Sequence, residues 1–223
     1  MKINDKSLLK KLGAGDSIEE VCSAADLSNE QFEKWWSTQL ASRVPSSQGS
    51  RTASANAEIL RDKWGIPHIY AERDEDLFFG YGYAMAQDRL WQLDYLRRKA
   101  MGQLSEVLGP SSLDTDTISH TLGLTQLAEA EVRRMSVRTR TRLDAFSSGI
   151  NEFMIESGDL LPIEFDLLDY SPESWTSTDS VAIWAELRWY LTGRLPIIVI
   201  PELAKQTLDN DELYKAFLTG EAE

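Results

Sequence analysis

Apolar residues recur along this chain with the helical period far more often than with the alternating period of a strand. Between Asp74 and Leu96 they fall at Leu77, Phe78, Tyr81, Met85, Leu90, Leu93 and Leu96, with no proline between them. That spacing predicts one long helix with a single buried face. Gly80 and Gly82 lie inside it, where Ala would be better by about 1 kcal/mol, so a close-packed neighbour or a break is expected there. Gly102 and Gly109 supply stop signals. Just upstream, RDKWGIPHIYA places Trp64, Ile66, Ile69 and Tyr70 around a Gly65-Ile66-Pro67 break, which predicts two short extended pieces joined by a tight corner.

The first 44 residues carry three shorter apolar stripes: Leu8, Leu9 and Leu12; Ile18 and Val21; Phe32, Trp35, Trp36 and Leu40. Ser17 to Glu20 and Ser28 to Gln31 each match the capping box, in which the first side chain caps the helix and the fourth reaches back. Residues 1–44 therefore read as a small helical unit with a helix-turn-helix look. Residues 45–57, PSSQGSRTASANA, have no apolar period and read as a linker, leaving 58–223 as the body. Beyond Gly109, PSSLDTDTISHTLGL reads as turn-rich. Helical spacing resumes over Leu124 to Gly149, and Ile150 to Ile155 continues or restarts that helix. Residues 158–171 read as a loop with buried hydrophobes, and a further helix is expected from about Asp179, ended by Gly193 and Pro196. The expected class is an α+β, predominantly helical chain.

Composition narrows the partners. A chain of 223 residues, 42% hydrophobic with seven Trp, can bury a sizeable core. Its net charge of −13 speaks against a nucleic-acid or anionic-membrane surface. Residues 1–44, with six cations and seven anions, do not reverse that. The longest apolar run, around Leu195 to Ile200, is interrupted by Pro196 and Pro201 and falls far short of the ~20 residues of a membrane span. Cys22, the only cysteine, reads as a small buried helix residue.

Motif searching finds no H-E-x-x-H, Walker loop, dinucleotide fingerprint, zinc spacing or nucleophile elbow. His68 reads as a hydrogen-bonded core histidine rather than a general base, and Asp88 with Arg89 as a structural ion pair.

The order R-D-x-x-G-I-P-H-I-x-A, then D-L-F-F-G-Y-G-Y-A-x-A-Q-D-R-L-x-Q-L, then R-R-x-A-x-G-x-L-S-E-V-L-G resembles the opening of the penicillin acylase family of N-terminal nucleophile hydrolases. The resemblance is dense over Glu58 to Gly109 and recognisable again in LLPIEFDLLDYSPESW, Leu160 to Trp175. It implies an α chain that contributes strands and helices to a four-layer αββα fold completed by a separate β chain. The nucleophile would be the N-terminal Ser of that β chain, released when one precursor cuts itself in two, so no catalytic residue is expected here.

Carried over without gaps from Leu160, the family's pocket-facing positions fall on Arg188, Leu191 and Thr192, with Trp189 beside them. Arginine and threonine replace the apolar and aromatic residues of the penicillin acylases proper. A benzyl-type acyl group is thus not assured, and an acidic or polar one comes into view. The resemblance also implies a structural calcium ion shared with the β chain, for which Glu202 is the best match after a few extra residues. Relatives are commonly exported to the periplasm, whereas the polar start MKINDKSLLKKLGAGDS lacks the apolar core of a secretory signal and favours the cytoplasm. The expected function is hydrolysis of an N-acyl amide to a carboxylic acid and an amine. The alternative is a noncatalytic helical interaction or regulatory protein.

Overall fold

A computed structural model describes residues 5–44, 49–53, 56–192 and 194–220, with backbone alone for 49–53 and 194–198. Gly193, expected to close the pocket helix, and parts of the expected linker lie outside the described residues. The chain divides into two compact units, Met1–Ile183 and Trp184–Glu223, each described by itself. No helix among the described residues is long and apolar enough to cross a membrane.

The first unit begins with α1 (Asp5–Gly13), α2 (Ile18–Ala25) and α3 (Asn29–Ala41). Both expected capping boxes form: Ser17 and Glu20 bond reciprocally ahead of α2, and Ser28 and Gln31 do the same ahead of α3. Asp26 closes α2 in the left-handed conformation. Leu8, Val21, Cys22 and Phe32 make the small core these helices share, with Trp35 and Trp36 against it.

Within the stretch expected to be a linker, Gly49–Ala53 forms strand β1, paired antiparallel with β2 (Ala57–Arg61). The period-based reading missed it because a ladder is made by backbone N–H and C=O groups, which GSRTA supplies without any apolar pattern. β3 (Pro67–Tyr70) pairs antiparallel on the other side of β2, with Ile59 opposite Ile69, giving the order β1-β2-β3. The expected corner between the two extended pieces is a loop tied by Asp62, whose Oδ1 accepts the N–H groups of Trp64 and Ile66. Gly65 takes φ +79° there, and Pro67 opens β3, where a missing N–H is tolerated.

α4 (Asp74–Met101) is the predicted long helix, but its buried face matches the predicted stripe only in part, at Leu90 and Leu93 with Met85 beside them. Leu77 and Tyr81 are exposed, while Gly80, Gly82, Tyr83, Ala84, Ala86, Leu90, Leu93, Asp94, Arg97 and Arg98 are buried. Two causes explain the shift. The helix breaks at Arg89 (φ −143°, ψ 21°), which rotates the frame between its halves, and its second half buries Asp94, Arg97 and Arg98 alongside Leu90 and Leu93. The glycines do mark close packing: a Cβ on Gly80 would meet Ile69 and Ala57, and one on Gly82 would lie 2.0 Å from the Phe146 carbonyl oxygen.

The helix crossing α4 at that contact is α8. Before it come α5 (Ser105–Leu108), a 3-10 turn at Pro110–Ser112, α6 (Leu113–Leu122) and α7 (Leu124–Arg134). α6 overturns the turn-rich reading of PSSLDTDTISHTLGL. Thr and Asp are poor helix formers, yet tertiary bonds override propensity: Asp116 accepts the N–H groups of Leu104 and Ser105, and Ser119 donates to the Lys99 carbonyl. α8 (Val137–Ser157) restarts after Met135, capped by Ser136. The unit continues through α9 (Ile163–Leu167), a helical turn inside the expected loop, into the first half of α10 (Ser177–Leu191). Ile59, Tyr83, Leu90, Ile150, Phe153, Phe165 and Trp175 meet in the main core.

The second unit holds the end of α10, then α11 (Arg194–Thr207) and α12 (Asp211–Thr219). Pro196, expected to stop a helix, instead sits in the first turn of α11, where its missing N–H costs nothing. Asn210 caps α12 by accepting from Glu212 and Leu213.

Candidate functional site

Arg188, Trp189, Leu191 and Thr192 occupy the last turn and a half of α10 and the residue after it, so helical continuity alone brings them together. Arg188 lies over the Trp184 ring, 6.0 Å from its centroid, one turn back on the same face. Trp189 is half-buried, and its carbonyl accepts from Thr192 Oγ1 at 2.9 Å. Leu191 is 69% exposed. Four side chains that are mostly solvent-facing, two of them polar, form a patch rather than an enclosed pocket.

Glu202 lies on α11, where its Oε1 accepts from Gln206 one turn on, at 3.1 Å. Among the described residues no group of three or more His, Cys, Asp or Glu could hold a metal ion. Calcium takes six to eight oxygens, so a single helical carboxylate does not make a calcium site from this chain's own residues.

Charge is instead concentrated on the second half of α4, which the apolar stripe did not reveal. Asp94, only 1% exposed, bonds Arg97 and accepts from Arg98 Nε at 3.0 Å and from the Tyr170 hydroxyl at 3.0 Å. Arg97 donates on to the Glu173 and Ser174 carbonyls and approaches Asp179 at 3.9 Å. Burial and the adjacent Asp94 carboxylate push the Tyr170 phenol up, and burial raises Asp179 although Thr176 donates to it. The Asp94-x-x-Arg97-Arg98 spacing, with three charges on one helical face, was the available signal. These groups satisfy one another, so the cluster reads as architecture. Elsewhere, His68 is half-exposed, with Nε2 3.4 Å from Asp62, and is not the expected core histidine, because it alternates outward on β3. Asp88 pairs with Arg61 at 2.8 Å rather than with Arg89, since consecutive helical residues point apart.

A groove of about 570 Å³ runs between the end of α3, the β2–β3 loop, the break in α4 and the start of α9. Arg43, Arg61, Arg89 and Glu164 line it, and none of the carried-over pocket residues does.

The described chain thus sets a three-stranded sheet against a long glycine-bearing helix clasped by α8. Residues 56–218 match the Penicillin amidase family, and the chain belongs to it. It is 37% identical over 134 residues, 60% of its length, to the penicillin acylase 2 proenzyme of Pseudomonas sp. (strain SE83). It is 30% identical over 190 residues, 84% of its length, to the acyl-homoserine lactone acylase QuiP of Pseudomonas aeruginosa. The matches span 17% and 22% of those curated relatives, so this chain corresponds to about a fifth of either. A thermostable penicillin G acylase from Alcaligenes faecalis has a similar structure, with a TM-score of 0.60 and 28% identity over 76% of this chain and 90% of that one.

Proposed function

We propose that this chain is the α subunit of a heterodimeric amidase or acylase that hydrolyses an N-acyl amide to a carboxylic acid and an amine. One observation carries the reading: the chain covers 90% of a solved penicillin G acylase chain but only 17% of a relative named as a proenzyme. A long precursor divided into a short and a long chain accounts for both figures. On this reading the β1-β2-β3 sheet and its helices complete a four-layer αββα fold with a β chain. That chain's N-terminal Ser attacks the amide carbonyl, and its own α-amine, with an ordinary pKa of about 8, takes the hydroxyl proton.

The contribution of this chain is then to binding. Arg188, Trp189, Leu191 and Thr192 form one wall of the acyl pocket, and the exposed Trp184, Leu187, Tyr190, Leu203, Phe217 and Leu218 offer the apolar area a second chain would cover. Arginine and threonine at positions 188 and 192, in place of apolar and aromatic residues, widen the acyl groups to be tried from benzyl-type to polar and acidic ones. Glu202 would give one oxygen to a calcium ion whose other ligands come from the β chain.

Mass spectrometry of material purified through this chain is expected to find a second, longer chain that begins with Ser. The complex is expected to cleave at least one of N-phenylacetyl, N-aliphatic and N-succinyl or N-glutaryl amides. A chain that purifies alone, or a complex inert on all of these, overturns the reading. Equal rates for Arg188→Ala and wild type on every substrate would remove Arg188 from the pocket while leaving the amidase intact.

A further inference from the structure

The matched family region begins at residue 56, so the three-helix unit at the N-terminus lies outside it. Its contacts with the rest of the first unit converge on one short segment. Lys6 pairs with Asp159 at 2.6 Å, Lys10 with Asp169 at 2.5 Å, and Arg43 with Asp166 at 2.7 Å. From Asp159 to Asp169 the chain has four carboxylates, Asp159, Glu164, Asp166 and Asp169, and no cation.

The two lysine pairs are exposed and each contributes at most modestly. Arg43 is different. Its side chain is buried, with Nε donating to the Leu161 carbonyl at 2.9 Å, one terminal nitrogen to Gln39 and the other to Asp166. Gln39 in turn donates to Asp5, which also accepts from Trp35, so α1 and α3 are tied to the same point. Backbone shape agrees with the charges: a Cβ on Gly13, the last residue of α1, would lie 1.7 Å from the Leu167 carbonyl oxygen. Any larger residue would hold the two elements apart.

The segment so gripped has little regular structure of its own. Its one regular element, α9, is five residues long, too short to persist by its own hydrogen bonds. On its inner side Phe165 enters the main core and packs on Tyr170, whose hydroxyl donates to Asp94. Asp94 holds Arg97, and Arg97 holds the Glu173 and Ser174 carbonyls immediately before α10. The chain from 159 to 175 is therefore clamped between the N-terminal helices outside and the buried charges inside.

We propose that residues 5–44 are an intramolecular brace whose partner is the acidic segment Asp159–Asp169, and that the brace positions Tyr170 and the start of α10 through it. Arg43 and Gly13 are its positioning residues. The inference concerns this chain alone and stands or falls independently of the amidase reading.

Hydrogen–deuterium exchange of the full 223-residue chain, read peptide by peptide, tests it. Arg43→Gln and Gly13→Val are each expected to speed exchange over 159–175 by about tenfold or more, since a local opening moves only the amides it exposes. The reference peptides in β2, β3 and α8 should change by less than about twofold. If Arg43→Gln lowers the yield of folded chain, Arg43→Lys carries the same comparison with a smaller change. In an Asp166→Asn background, Arg43→Gln should add little further acceleration over 159–175, because the partner is already neutral. Acceleration spread evenly over the whole chain, or none at 159–175, overturns the brace.

Discussion

The crossing of α4 and α8 and the stretch from Trp184 to Glu223 solve opposite problems. At the crossing, glycines bring two backbones into contact: Gly82 faces the Phe146 carbonyl, Gly149 faces the Phe79 carbonyl, and Tyr83, Ile150 and Phe153 are sealed beside them. In the second stretch the large apolar side chains Trp184, Leu191, Leu203, Phe217 and Leu218 are exposed, although α11 and α12 pack on each other. The first region is complete in itself. The second leaves several large apolar side chains in solvent among many charged ones, and this contrast gives the proposal of a second chain its physical content.

The sharpest way to break the contrast is Gly82→Ala or Gly149→Ala. Either puts a methyl group into a backbone carbonyl that cannot yield without separating the helices, with an expected loss of about 3 kcal/mol or more in chemical unfolding. A wild-type midpoint would mean the crossing is looser than it looks. Asp94→Ala is of comparable size, because it removes the buried carboxylate that Arg97 and Arg98 share, and a loss of about 3 kcal/mol is expected by the same measurement.

A subtler comparison sets two buried carboxylates against each other. Burial raises Asp179, so the stability it contributes is present below its unfolded value near 3.8 and is lost as pH rises through the raised folded value. Asp179→Asn should therefore gain on wild type as pH is increased above about 4. Asp116 runs the other way: burial opposes its charge, but Ser105 and the Leu104 N–H outweigh burial and hold it below its ordinary value. Its contribution is present above 3.8 and lost as pH falls through the lowered folded value, so Asp116→Asn should cost stability at neutral pH and nothing in strong acid. Thermal unfolding followed across pH reads both signs. The smallest expected effect belongs to the exposed stretch: Leu203→Ser and Phe217→Ser should shift unfolding of the chain by no more than about 0.5 kcal/mol. The same changes should weaken capture of a second chain in pull-down. A large loss of intrinsic stability with capture unchanged would show that these side chains pack within their own chain.

What could be read from residues alone follows from how local each cause is. The capping boxes at Ser17 and Ser28 need only four consecutive residues, and both form as expected. The β2–β3 corner is equally local, with Asp62, Gly65 and Pro67 fixing it inside six residues. α6 was illegible because its support comes from Lys99, Leu104 and Ser105, residues outside the helix. The face of α4 was misread because hydrocarbon is a poor guide where Asp94, Arg97 and Arg98 are the buried groups. Arg188, Trp189 and Leu191 lie on one helix with Thr192 just past its end, so their being neighbours follows from the sequence spacing alone.

The interruption of α4 at Arg89 has a consequence for how the chain can vary. Upstream, the helix is locked to β2, β3 and α8; downstream, Leu90 and Leu93 stay in the main core while Ala100 and Met101 serve a separate cluster with Val132, Val181 and Ala182. A residue gained or lost at Arg89 would leave the Gly82 contact in register and be felt first at Leu90 and Leu93, whereas one gained or lost at Gly82 would slip the α4–α8 interface itself.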